Sequence, residues 1–234
     1  MIDVYALRLD FSEKFDLSLF ETLLNYVSPE KRVRIKKFVR EEDRLRGLFA
    51  DLLIRHVIRE KLGIPNKDID FTTNYYGKPA LKGRDDIEFN LSHSGEWVVG
   101  VIDNHPVGID VEQIQSIDLD ISKHYFSEDE HFDLMNKSDK FDYFFTLWSL
   151  KESYIKILGK GLSHPLNAFS IKYHSPENIS MHINGQAIDD IFFRQYPIHN
   201  GYKMAVCTSH KRIPAQVNDI PLHIFIDHFL SHAY

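Results

Sequence analysis

Two long stretches of helical periodicity, each stopped by a glycine and each followed by several short strand-like segments, constrain this chain more than any other feature. Over residues 42–62 the apolar set Leu45, Leu48, Phe49, Leu52, Val57 and Ile58 predicts an amphipathic helix that Gly63 ends. Residues 141–158 predict a second long helix, closed by Gly159. Candidate strands follow the first helix at 69–73, 87–91, 97–102 and 107–112, separated by turns at Tyr76-Gly77-Lys78-Pro79, Ser94-Gly95 and Asp103-Asn104. Others follow the second at 168–173, 179–183, 191–196 and 201–208. The repeated plan predicts an α+β fold of two similar subdomains, each a long helix packed on a small antiparallel-type sheet. The division falls at 1–104 and 105–234, with the tail in the second unit.

Smaller signals fill in the plan. Residues 2–9 alternate as a strand, and 19–27 read as a short helix. Ser28-Pro29 starts another helix, with Ser as the cap and Pro in the first turn. A helical stretch near 118–124 precedes Ser127 and Glu130, which are spaced as a capping box. Residues 221–234, with Leu222, Phe225, Phe229 and Leu230, predict a short amphipathic helix.

The chain of 234 residues is 43% hydrophobic, enough to bury a substantial core. No run of about eighteen apolar residues occurs, and Met-Ile-Asp-Val-Tyr lacks the basic and apolar stretches of a signal peptide, so a soluble cytoplasmic protein is expected. The single Cys207 excludes an intrachain disulfide and a cysteine-based metal cluster, and reads as a buried thiol in a strand. Thirteen histidines are scattered without zinc-like spacing and read as surface or packing residues. The net charge of −6 conceals an asymmetry: residues 31–46 hold eight basic side chains and three acids. So local a positive excess argues against a nucleic-acid binder. It suits either a compact ligand with several phosphates or a solvated basic helix face.

The chemistry concentrates in two segments. Asp110 and Glu112 stand two residues apart in an apolar run, so in a strand both carboxylates leave one face while Val107, Ile109 and Val111 fill the other. Such a pair is either a solvated strand face or a site for a hard divalent cation or a shared proton. Trp148, Glu152 and Lys156 then share one stripe of the second long helix. Glu152 and Lys156 read as a surface pair worth about 0.3–0.5 kcal/mol, or Glu152 supplies a third oxygen ligand in a helix that Leu147, Tyr154 and Ile155 mark as largely buried.

Five pieces in order carry a resemblance to a known family: Ser28-Pro29-Glu30-Lys31-Arg32, Tyr76-Gly77-Lys78-Pro79, Phe89-Asn90-Leu91-Ser92-His93-Ser94, Gly108-Ile109-Asp110-Val111-Glu112, and Trp148-Ser149-Leu150-Lys151-Glu152-Ser153 with Lys156. Together they resemble the 4'-phosphopantetheinyl transferases of the larger, two-subdomain kind associated with nonribosomal peptide and polyketide synthesis. The resemblance implies a pseudo-twofold monomer with coenzyme A as co-substrate and Mg²⁺ in the cleft between its halves. The implied reaction moves the 4'-phosphopantetheine arm to a serine of an apo acyl or peptidyl carrier protein, releasing adenosine 3',5'-bisphosphate. It also implies Asp110, Glu112 and Glu152 as metal ligands, Glu152 or a metal-held water as base, and Lys156 against the pyrophosphate. Lys31, Arg46, Lys78, Ser92 and His93 match residues that hold the nucleotide phosphates, and Tyr76, Gly77, Lys78 and Pro79 line the adenine end. Glu130 resembles another of the family's acids or is simply the cap partner of Ser127. Residues 113–130, including Tyr125 and Phe126, are the expected carrier contact, with neither nucleic acid nor membrane as partner. The alternatives are a Mg²⁺-dependent nucleotide pyrophosphohydrolase built on the same carboxylates and a non-catalytic module that binds coenzyme A or a carrier protein.

Overall fold

The computed structural model describes residues 2–12 and 14–231. Among these, the first half runs β1 (Asp3–Arg8), α1 (Leu17–Leu23), α2 (Pro29–Lys36), α3 (Glu41–Leu62), β2 (Phe71–Thr73), β3 (Pro79–Leu81), β4 (Glu88–Ser94), β5 (Trp97–Asp103) and β6 (Val107–Gln113). There follow α4 (Ser122–Tyr125), α5 (Glu128–Met135), α6 (Lys140–Leu158), β7 (Ser170–Ser175), β8 (Asn178–Ile183), β9 (Gln186–Ile188), β10 (Phe192–Tyr196), β11 (Tyr202–Thr208), β12 (Asn218–Ile220) and α7 (Leu222–Ser231). Residues 232–234 of the expected tail helix lie outside the described residues. β3, β9 and β12, three residues each, are too short to show a period in the sequence.

The helix ends follow their local chemistry. Ser28 accepts a hydrogen bond from the Lys31 amide at the start of α2, with Pro29 in the first turn. Ser127 and Glu130 make both bonds of the capping box on α5. Gly63 and Gly159 close α3 and α6 at φ of 66° and 62°, where a side chain would be strained.

Two sheets carry the fold, in the orders β12-β1-β5-β4 and β10-β11-β6, with β2-β3 and β7-β8-β9 as smaller ones. β1, β5 and β4 pair antiparallel, as do β10, β11 and β6, and β12 joins β1 in parallel. The two larger sheets share a core in which Val107, Ile109 and Val111 of β6 meet Val99 and Val101 of β5. Alternation sends Val98 and Ile102 of β5 to the opposite face, where α3 covers them. Each long helix thus packs on a small antiparallel sheet, and the expected α+β fold of two subdomains is what the chain adopts.

α3 departs from the amphipathic reading. From Leu45 to Ile58 all but Arg46 are buried, because the sheet covers one side while Phe20, Leu23, Leu24, Phe225 and Phe229 close the others. Each buried Leu or Phe there contributes about 1.5–3 kcal/mol. The polar Asp51 and Arg55 that interrupt its apolar pattern are buried as an ion pair one turn apart. A second correction concerns the tail. Sequence order places it with residues 105–234, yet β12 pairs with β1 and Phe225 and Phe229 enter the core around α3. The reason is that the first half leaves an apolar helix face that Phe225 and Phe229 cover.

α6 lies unusually close to its sheet. A Cβ on Gly108 would stand 2.0 Å from the Ser153 carbonyl oxygen, so only glycine allows β6 and α6 to approach this far. That contact sets Glu152 and Lys156 beside the acids of β6. Among the described residues, no helix is long and apolar enough to cross a membrane.

Candidate functional site

β4 and β6 belong to different sheets and are joined by side chains. Period-two alternation puts Asn90, Ser92 and Ser94 on one face of β4, and Asp110 and Glu112 on the face of β6 turned away from the core. The Ser92 hydroxyl donates to Asp110 Oδ1 (2.9 Å), the Ser94 hydroxyl donates to Glu112 Oε2 (3.1 Å), and Asn90 Oδ1 accepts from the Ile109 amide (3.1 Å). The seam between the halves is therefore built on both acids.

α6 completes this cluster. Lys156 Nζ donates to Asp110 Oδ1 at 2.7 Å and to the Ile109 carbonyl at 2.9 Å. Its ammonium is directed at Asp110 on the adjoining strand rather than at Glu152 one turn away, so the surface-pair reading of Glu152 and Lys156 does not describe this site. Burial raises the Asp110 carboxyl above its usual range against the pull of Lys156. Burial and the Asp110 charge push Glu112 up to about 7. Burial, then Asp110, also raises Glu152. Asp110 Oδ2 is buried without a hydrogen-bond partner. Three acids whose proton affinity burial raises, with Asp110 raising that of the other two and an orphaned buried oxygen among them, form a donor set that suits a hard divalent cation. They do not all bring a ligand atom within 4.8 Å of one another. Mg²⁺ needs only one or two direct carboxylates because it keeps several waters, so that spread is compatible with the ion.

Ser92 and Lys156, which both bond Asp110, line a cleft of about 550 Å³. Of the residues the sequence singled out, Lys31, Gly77, Pro79, Ser92, His93 and Lys156 line it. Lys31 lies 3.7 Å from Asp51, and His93 is held below the usual histidine range by burial, then by Arg46, with Lys156 and Lys31 adding to it. Arg34, Thr73 and Asn90 also line the cleft and were missed. Arg34 belongs to the basic run 31–46, so its charge was visible while its direction was not.

Three expected ligand residues are engaged elsewhere. Arg46 donates to the Gly95 carbonyl (2.8 Å) and pairs with Asp43. Lys78 pairs with Glu88 at 3.2 Å. Tyr76 packs edge-on against Tyr75 and is 52% exposed. The Tyr76–Pro79 turn is organised by Asn74, whose Oδ1 accepts from the amides of Tyr76 and Lys78 while its Nδ2 donates to the Gly159 carbonyl. The turn is thus also a latch onto the end of α6.

Beside Glu152, Lys151 is fully buried. Its ammonium bonds Glu130 (2.8 Å) and the carbonyls of Leu166 (2.9 Å) and Phe169 (2.7 Å). Glu130 accepts from the amides of Ser127 and Ile171. Glu130 is therefore more than a cap partner: it anchors α5 and β7 to α6 behind the site.

On the side of Glu112 away from the cleft, a groove of about 600 Å³ runs past Glu112, Ile117, Ile121, His124 and Trp148. Tyr125 stacks edge-on against Trp148 and is partly exposed, whereas Phe126 is buried at 3% against Phe144 and Trp148. Phe126 is a core residue and does not present a docking surface, contrary to its expected role, because α5 and α6 close over it.

A cleft with Lys156 and Ser92 at the acidic cluster and Lys31, Arg34 and His93 along its wall is suited to an extended polyanion. The chain matches the model for the N-terminal part of 4'-phosphopantetheinyl transferases over residues 16–105 and that of the 4'-phosphopantetheinyl transferase superfamily over residues 106–207. It is 41% identical over 199 residues to the 4'-phosphopantetheinyl transferase Sfp of Bacillus subtilis strain 168, covering 84% of this chain and 88% of the relative. It is 40% identical over 202 residues to the 4'-phosphopantetheinyl transferase ffp of Bacillus subtilis, covering 86% and 90%. With the human L-aminoadipate-semialdehyde dehydrogenase-phosphopantetheinyl transferase it shares 27% identity over 226 residues, covering 83% and 73%. The chain belongs to the 4'-phosphopantetheinyl transferase superfamily.

Proposed function

We propose that this enzyme binds coenzyme A in the cleft between its halves and transfers the 4'-phosphopantetheine group to a serine of an apo acyl or peptidyl carrier protein. One observation carries the placement: Ser92 and Lys156 line the cleft and both hold Asp110, which joins the cationic wall to the acidic cluster. The named relatives are all phosphopantetheinyl transferases, and the pyrophosphohydrolase alternative finds no support among them.

The residues divide the work by charge. Lys31, His93 and Ser92 hold the nucleotide phosphates, joined by Arg46 and Lys78 when the polyanion draws them from their resting partners, while Tyr76, Gly77, Lys78 and Pro79 border the adenine. Asp110, Glu112 and Glu152 would hold Mg²⁺, which when bound offsets the negative charge of the pyrophosphate. Lys156 exchanges its bond to Asp110 for the pyrophosphate and stabilises the charge that grows on the leaving group. The serine oxygen forms a bond to the phosphorus bearing the pantetheine arm. The bond from that phosphorus to the oxygen of adenosine 3',5'-bisphosphate breaks, and the serine proton passes to Glu152. Burial favours that transfer by raising the basicity of the Glu152 carboxylate.

The groove past Glu112, Ile121 and Trp148 receives the carrier, since it is part apolar and includes one acid of the cluster, Glu112. The subdomains divide at 104/105, one residue before the point where the two family matches meet, with 218–231 returning to the first. A cleft complete within one chain supports action as a monomer, and a coenzyme A substrate supports a cytoplasmic setting. The test is to incubate the protein with coenzyme A, Mg²⁺ and an apo-carrier domain and to read the carrier's mass. Gain of one phosphopantetheine supports the proposal; an unchanged carrier with cleaved coenzyme A would restore the hydrolase.

A further inference from the structure

We propose a second metal site, distant in sequence from the acidic cluster, in which His56 and Glu60 of α3 and His228 of α7 bind a transition-metal ion of the Zn²⁺ class. It is independent of the transferase reading. His56 and Glu60 stand one turn apart on one face of α3. α7 brings His228 to them, its ring centroid 5.2 Å from that of His56. One ligand atom from each of the three lies within 4.8 Å of the other two. A tetrahedral ion with bonds of roughly 2.0–2.2 Å needs ligand atoms roughly 3.3 Å apart. The exposed Glu60 and half-buried His228 can close that gap by changing rotamer while His56 stays fixed in the core.

His56 is hard to explain by packing alone. Its ring lies edge-on to Phe225, which accounts for its burial. Yet Nδ1 is buried with no hydrogen-bond partner, an uncommon state for a core nitrogen. Burial lowers its pKa to about 4, so at neutral pH the ring is the uncharged base that a metal requires. Two imidazoles and one carboxylate are a donor set for Zn²⁺, Ni²⁺ or Cu²⁺ and a poor one for Mg²⁺. The nearby Arg59 opposes a cation through its 3.8 Å approach to Glu60, but its guanidinium is drawn over the Phe229 ring. Because the ligands come from α3 and from a helix some 170 residues later, the assembled site exists only in the folded chain. Binding there clips α7 onto the core and stabilises the fold by mass action.

The full chain is stripped with chelator and titrated with ZnCl₂ by calorimetry and by thermal unfolding. The parent, Glu60→Gln and His228→Ala are compared, each alone and combined with Asp110→Asn to silence the acidic cleft. The parent and Asp110→Asn should bind Zn²⁺ and rise in Tm. Glu60→Gln and His228→Ala should weaken that binding by about tenfold or more. Both should keep transferase activity, which shows that they fold. MgCl₂ should not reproduce the effect in the Asp110→Asn background. Zn²⁺ affinity within about twofold of the parent in both Glu60→Gln and His228→Ala, or binding abolished by Asp110→Asn alone, would overturn the assignment.

Discussion

Replacing Glu112 by Gln should stabilise the metal-free protein, the reverse of what removing a hydrogen-bonded strand residue normally does. Glu112 accepts from Ser94 and is pushed to about 7 by burial and by Asp110. Raising an acid from 4.5 to about 7 corresponds to roughly 3 kcal/mol in favour of the neutral form. Below pH 4.5 the group is protonated folded and unfolded alike, so it leaves stability unchanged. Between 4.5 and about 7 the native state retains the proton that the unfolded chain releases, and the parent loses stability as pH rises. Above about 7 the full penalty applies. Gln keeps the shape and the bond from Ser94 without that penalty. Urea denaturation in chelator at pH 4.5 to 8 should therefore show Glu112→Gln ahead of the parent by about 1–3 kcal/mol at pH 8, the lead vanishing near pH 4.5. A variant less stable than the parent at pH 8, or a difference that does not change with pH, would show that the Glu112 charge carries no such penalty.

Two further outcomes follow from the geometry. Lys151→Met should lower unfolding free energy by about 3–5 kcal/mol because it strands Glu130 as a buried charge, and adding Glu130→Gln should recover part of the loss in a double-mutant cycle. Full additivity of the two changes would show that the pair is not coupled. Lys31→Ala should raise KM for coenzyme A with kcat little changed, and the increase should shrink when the donor lacks its 3'-phosphate; equal discrimination by parent and variant would move Lys31 away from that phosphate.

The local parts of this fold were legible because their signals are local. Ser28-Pro29, Ser127 with Glu130, and the glycines at 63 and 159 mark helix ends through the geometry of a single turn. The alternation of Val107, Ile109 and Val111 against Asp110 and Glu112 showed which face carries the acids. Features that join distant segments were not legible. Nothing near residue 218 announces a parallel partner in β1, and nothing near 228 announces His56. α3 hid its burial behind Asp51 and Arg55, charges that neutralise each other inside the core. At the site, residue type pointed to the acids and to Lys156, but not to the geometry in which Lys156 crosses to Asp110 and Lys151 is spent on Glu130. Arg46 and Lys78 show the limit of reading charge from sequence: each has a partner in its own chain.

If the acids of β6 and α6 support transfer from coenzyme A to a carrier serine, Asp110→Asn should disable it. Asn keeps the volume at this buried position and an oxygen for the Ser92 hydroxyl and Lys156, while removing the charge that would attract Mg²⁺. With coenzyme A, apo-carrier and saturating Mg²⁺, the carrier's gain in mass followed over time should slow by about a hundredfold or more, while circular dichroism and urea midpoint stay those of a folded protein. Turnover within about tenfold of the parent in a folded Asp110→Asn protein would contradict the account.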